Sequence, residues 1–264
     1  IIRVKPAIGI PPMIKTTIEI LIVFAIAILL AMMFLPGCPD DYGPRPRTDC
    51  ANNIRQIVLA MHNYYDTNGH FPPAVVFDAK VRPMHSWRTL IMPYMEMNDA
   101  YNKYDFNQPW DSPHNRKVAE MITDTSEFQC PTYQSSDGRH ALVEGYTNYL
   151  LLTGPGTLYA RPEAASRDDV TDGESQTIVI VEVARSDIHW MEPRDISRDE
   201  FLRLMEESRE YDYQNVDQCS LSRHPFGINV AFIDGSVCNL NRRVDRATLE
   251  GLTSIAGGET VANY

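Results

Sequence analysis

The chain has 264 residues, 44% of them hydrophobic, and carries a net charge of −11. That length holds an anchor and one domain of ordinary size, and the composition excludes a disordered chain. The acidic balance excludes a nucleic-acid groove, which needs a basic stripe. From Ile20 to Leu35 sixteen apolar residues follow one another without a break. As a helix they rise about 24 Å, and Ile18 with the apolar stem of Glu19 brings Ile18–Leu35 to nearly spanning length. Arg3, Lys5 and Lys15 precede the run, and Asp40 and Asp41 follow it. Basic residues mark the cytoplasmic side, so residues 1–17 are expected inside and everything beyond the span outside. The expected localisation is a bacterial cytoplasmic membrane, single-pass, with the main domain extracytoplasmic. Glu19 lies near the inner end of the span, where a carboxylate snorkels at low cost.

Lys15-Thr16-Thr17-Ile18-Glu19, followed by Ile20-Leu21-Ile22-Val23, resembles the start of the mature helix of type IV pilins and pseudopilins. That resemblance implies a role for Glu19 in pairing with a neighbouring subunit's N-terminal amine. The chain departs from the pattern at the processing site. Ile14-Lys15 stands where prepilin peptidase expects Gly-Phe, so no cut is expected there.

Residues 36–47 read as a Pro-rich linker that ends any helix leaving the membrane. Leu35-Pro36-Gly37-Cys38 has the outline of a lipoprotein signal, which makes Cys38 a candidate for lipidation. The exported domain is expected over 48–264. Thr48 or Asp49 is placed to cap a helix with its body at Cys50–Tyr65, where Ile54, Ile57, Val58 and Met61 recur at helical spacing. Ser112 caps a short helix with Pro113 at its first position. Tyr146–Leu152 and Thr177–Val183 read as buried strands. Ser197 with Glu200 opens a helix through Ser208 as a capping box. Phe226–Ile233 and Ser236–Leu240 form a hairpin across Asp234-Gly235, expected as a type I′ turn. A last helix through Leu252 and Ile255 ends at Gly257-Gly258.

From Cys50 onward the pattern C-x-N-N-x-x-Q-I-x-L-A-x-H-N-Y-x-D-x-x-G-x-F-P-P is similar to the opening of a large bacterial family. Its members begin as prepilins and end on an H-x(9)-D-G signature. It is catalogued as a domain of unknown function and was once labelled a solute-binding family. Ser86-Trp87-Arg88, Trp110-Asp111-Ser112-Pro113-His114-Asn115, Cys130-Pro131 and finally His224 with Asp234-Gly235 continue the resemblance in order. It implies an α+β fold, with the N-terminal transmembrane helix followed by a pilin-like helix on an antiparallel β-sheet with short inserted helices. It implies partners in the membrane and among pilin-like or type II secretion-like subunits.

The residues themselves offer no catalytic arrangement. G-x-S-x-G, H-E-x-x-H and a Gly-rich phosphate loop are all missing. No enzyme activity and no cofactor are expected. His224 and Asp234 invite a metal or catalytic reading, but turn chemistry accounts for Asp234, and His224 is expected to fix the hairpin. Asp168, Asp169, Asp172 and Glu174 flank Gly173 and are weak calcium candidates, since calcium takes six to eight oxygens. Trp87, Trp110 and Trp190 either line a groove for a small-molecule or glycan ligand or pack in the core. The five cysteines show no zinc spacing. Cys50 and Cys130 share the family-like words and are expected to pair. Cys219 and Cys238 flank the hairpin's first strand and are expected to form a second disulfide, leaving Cys38 alone. The expected function is a membrane-anchored, exported, pilin-like structural or surface-interaction protein. The alternative is a surface solute- or glycan-binding module.

Overall fold

A computed structural model describes residues 45–122, 126–131, 145–184, 186–210, 221–222, 224 and 227–258. The expected span Ile18–Leu35, Glu19, Cys38 and Cys219 lie outside the described residues. No helix among the described residues is long and apolar enough to cross a membrane. The described residues all belong to one compact unit, Pro44–Tyr264.

Helix α1 runs Arg45–Asn68. Ile54, Ile57, Val58 and Met61 are buried, as their spacing requires, and α1 lies over the β-sheet. Helix begins before Thr48 and Asp49, so the expected cap at those positions is not used. Both residues are exposed within the helix, and the linker expected through residue 47 gives way to helix from Arg45. Pro46 is no obstacle, because the first turn needs no intrahelical N–H donor.

A small hairpin follows, β1 (Val75–Phe77) against β2 (Pro83–Ser86). Short helices come next: α2 (Trp87–Leu90), α3 (Asn98–Lys103) and α4 (Pro113–Met121). Ser112 accepts from Asn115 N with Pro113 leading the helix, as the sequence predicts. The main sheet holds β3 (Tyr149–Thr153), β4 (Ile178–Glu182), β5 (Ile196–Ser197), β6 (Gly227–Phe232) and β7 (Val237–Asn241), in the order β5-β3-β4-β6-β7. Helix α5 (Arg198–Ser208) follows β5, capped by Ser197 accepting from Glu200 N. Helix α6 (Arg246–Leu252) follows β7 and is capped by Asp245. It stops short of Ile255, its last turn closed by the Thr253 hydroxyl donating to Leu249 O.

The expectation of an antiparallel sheet needs one correction. β3 pairs β5 in parallel, with Leu152 opposite Ile196, so the sheet is mixed. The β3–β4, β4–β6 and β6–β7 pairs are antiparallel. Both faces are covered. Tyr149, Leu151, Val179, Ile180 and Ala231 join the core under α1, whereas Leu150, Leu152, Val181, Val230 and Phe232 join the core under α5 and α6. This double burial explains why β3 and β4 read as continuous apolar runs. Val179 and Ile180 are neighbours yet serve the same core, and a bulge between Ile178 and Ile180 makes that possible.

The β6–β7 turn also differs from expectation. A type I′ turn needs positive φ at both central residues. Asp234 has none, whereas Gly235 sits at φ +89° and its N–H donates to Phe232 O. The turn is therefore a three-residue connection closed by a glycine in the left-handed region. Asp234 Oδ1 accepts from the backbone and hydroxyl of Ser236, which is the local turn role foreseen for it.

Candidate functional site

The segment Phe128–Pro131 is brought to α1 by a disulfide and by Asn53. Cys50, buried near the start of α1, is bonded to Cys130 across a Cα–Cα distance of 4.9 Å. Asn53 Nδ2 donates to Gln129 O, and Cys130 N donates to Asn148 Oδ1. Asn148 Nδ2 in turn donates to Val183 O, tying the segment to the end of β4.

Two ionisable groups meet the disulfide there. Glu182 ends β4, directly opposite Tyr149 on β3, and is wholly buried. His224, just before β6, places Nε2 2.9 Å from Glu182 Oε1 and 3.6 Å from Cys130 Sγ. Asn229 on β6 donates to Glu182 Oε2 at 2.7 Å, and Arg242 Nη2 donates to His224 O. Ligand-capable atoms of Cys50, Cys130, Glu182 and His224 all lie within 4.8 Å of one another, and all four residues are buried. Burial, and then the charge of Glu182, push the Tyr149 phenol well above its ordinary range.

A second buried charge pair lies on the other side of β3. Arg88 and Asp195 meet at 2.6 Å with almost no exposure of either side chain. Asp195 also accepts from Leu151 N and from Trp87 Nε1. Burial raises the Asp195 carboxyl, and the Arg88 charge opposes that rise. The Arg88 guanidinium lies 4.6 Å from the Trp87 ring centroid and reaches Tyr149 O.

The residues singled out from sequence fall in several places. His224 and Asp234 sit at opposite ends of β6, roughly 20 Å of strand apart at ~3.3 Å per residue, so they share no site. The His224 ring bonds across to β4, and its carbonyl accepts from Arg242 just past β7. The calcium candidates disperse. Asp169 caps its own turn through Ser166 N, and Asp168 N donates to Ser166 Oγ. Asp172 accepts from Gly257 N and Gly258 N, while Glu174 pairs with Arg167. Among the described residues, Cys50, Cys130, Glu182 and His224 form the single group with metal-binding geometry. Cys238 is a free thiol packed against the core under α5 and α6, and burial raises its pKa; Cys219, its expected partner in a second disulfide, lies outside the described residues.

Trp87 and Trp190 are core residues; Trp190 stacks on Phe128 with ring centroids 5.5 Å apart. Trp110 is half-buried between His189 and Arg116. A cleft of about 240 Å³ opens beside β5, lined by Leu150, Ile196 and Leu204 with Asp187, Arg194 and Glu200. It contains none of the tryptophans and is smaller than the ~300–1,000 Å³ usual for small-molecule pockets.

Reading by sequence missed Arg88–Asp195 and Glu182–His224 as pairs. A signal existed for Glu182: a lone carboxylate closing the apolar run Thr177–Val183 must find a buried partner. Nothing local marks Asp195.

Fold and site thus define an α+β domain whose buried polar groups bind one another. Residues 45–209 match the family described as "Protein of unknown function (DUF1559)". This is more than half of the chain, and the protein belongs to that family. The matched stretch ends ahead of His224 and Asp234-Gly235. No curated protein and no solved structure matches the chain.

Proposed function

We propose that this protein is a membrane-anchored, exported, pilin-like structural or surface-interaction protein without catalytic activity. The observation that carries the reading is the Cys50–Cys130 disulfide, which fastens the long helix α1 to the segment leading into β3. Such a bond persists in an oxidising compartment outside the cytoplasm. A long amphipathic helix laid on a sheet supports the pilin-like side of the reading. The apolar run Ile18–Leu35 and the basic residues before it support the anchor.

Protease added to intact spheroplasts tests the topology. Digestion of the chain beyond Asp40 is expected, and full protection would overturn it. Intact-mass spectrometry of the membrane form reports the same protein's processing. A mature N-terminus at Lys15 would overturn the expectation that Ile14-Lys15 is not cut. A thermal-shift screen against small solutes and oligosaccharides separates this reading from a binding module, since a ligand at 100 times its Kd adds about 2.7 kcal/mol. No stabilisation is expected.

A further inference from the structure

We propose that Cys50, Cys130, Glu182 and His224 form a closed, tetrahedral zinc site whenever the two cysteines are reduced. The donor set is two thiolates, one imidazole and one carboxylate, each a group that zinc takes as a ligand at four-coordinate sites. One dimension is already in place, while the two sulfurs, bonded to each other here, part to about 3.8 Å once reduced and metal-bound. With Zn–S near 2.3 Å and Zn–N near 2.0–2.1 Å, a tetrahedron sets sulfur and nitrogen about 3.6 Å apart. His224 Nε2 already lies 3.6 Å from Cys130 Sγ, and all four donors fall within 4.8 Å of one another.

Hydrogen bonds outside the four donors hold Glu182 and the backbone of His224 in place. Asn229 donates to Glu182 Oε2, leaving Oε1 turned to the His224 ring. Arg242 holds the His224 carbonyl, which fixes the backbone that carries the imidazole. A zinc ion between Glu182 and His224 replaces their direct contact and keeps both groups paired.

The chemistry balances. A phosphine reduces the disulfide to two thiols, becoming the phosphine oxide, with water supplying the oxygen and both thiol hydrogens. Zn²⁺ binds the thiolates and releases those two protons. Glu182 binds as carboxylate and His224 as neutral imidazole through Nε2. Because all four donors are buried, the ion enters as the chain folds, so binding and folding are coupled. In oxidising surroundings the disulfide ties α1 to the Phe128–Pro131 segment; in reducing ones the metal ties both to Glu182 on β4 and His224 before β6. This proposal stands apart from the topology proposed above, and neither test bears on the other.

The test uses the full chain in detergent, reduced with a phosphine in denaturant and refolded with Co²⁺ as a visible stand-in for Zn²⁺. We expect one Co²⁺ per chain, tetrahedral d–d absorption, thiolate-to-metal charge transfer, and displacement by Zn²⁺. Oxidised protein should show none of these. His224→Ala should weaken binding at least about tenfold, and His224→Cys should keep a tetrahedral spectrum with stronger charge transfer. Cys238→Ser should leave the spectrum unchanged. An octahedral spectrum, binding indifferent to His224→Ala, or loss of the spectrum in Cys238→Ser overturns the proposal. So does a reduced chain that stays unfolded with Zn²⁺ present.

Discussion

The buried Arg88–Asp195 pair makes Asp195→Asn a revealing substitution. The variant keeps the side chain's shape and removes its charge. In the native protein one carboxylate serves three donors: Arg88 Nη2 at 2.6 Å, Leu151 N at 2.9 Å and Trp87 Nε1 at 3.1 Å. An amide supplies one acceptor oxygen and turns its NH₂ toward another donor. Arg88, with a fully buried guanidinium, is left without its anion. Breaking a buried pair from one side costs about 3–5 kcal/mol, a large share of a stability of roughly 5–15 kcal/mol. With a urea slope of about 2 kcal/mol/M, the unfolding midpoint should fall by about 2 M. Equilibrium urea unfolding, followed by tryptophan fluorescence with the disulfide intact, measures this. The double variant Arg88→Met with Asp195→Asn should recover part of the loss, since no charge is then stranded and the amide oxygen can still accept from Leu151 N. A midpoint within about 0.3 M of the wild type, or a double variant as unstable as the single, would refute the reasoning.

Other outcomes are equally definite. Replacing Cys50 and Cys130 by Ala, which opens a loop of sequence separation 80, should cost about 4.5 kcal/mol in metal-free buffer, read from chemical denaturation. Gly227→Ala should destabilise by about 1–3 kcal/mol, because a Cβ there lands 2.1 Å from the backbone oxygen of Leu240 on β7. Near-native thermal stability in that variant would contradict the close approach of β6 and β7. His189 is held neutral, its pKa lowered from 6.5 to about 4 by burial and then by Arg116. As pH falls below 6.5 the unfolded chain takes up a proton that the folded chain refuses, so this contribution is complete above pH 6.5 and lost as pH approaches 4. The shift corresponds to roughly 3 kcal/mol, reduced to about 1–2 kcal/mol by solvent at a partly exposed ring. Stability of His189→Gln should vary less with pH across that window.

Elements with a strong local cause were legible in the sequence. The apolar stripe of α1, the Ser112 and Ser197 caps and the runs in β3 and β4 all follow from spacing and capping alone. The parallel β3–β5 pair was not legible, because β5 has only two residues and no pattern of its own. The turn at Asp234-Gly235 was recognised but mistyped, since one positive φ serves where two were expected. For the site, Cys50–Cys130 came from resemblance, while Glu182 and His224 needed the sheet. They come from different strands' ends, and only the β4–β6 register brings them together. Conversely, acidic residues clustered in sequence around Gly173 were separated by their own hydrogen bonds.

The fastening of α1 has a mechanical consequence. Cys50 lies about one and a half turns into the helix, and His62, toward its far end, bonds to Ile233 O at the β6–β7 turn. A pull entering from the N-terminal side unwinds little before it reaches a covalent bond. Load then passes through Cys130, whose N–H is held by Asn148 beside β3, to interior strands that must shear several hydrogen bonds together. A helix held only by side-chain packing would peel away turn by turn under the same force. With its crosslink intact the fold meets such a pull in shear, whereas in metal-free reducing buffer α1 is left to its packing and to the bonds of Asn53 and His62.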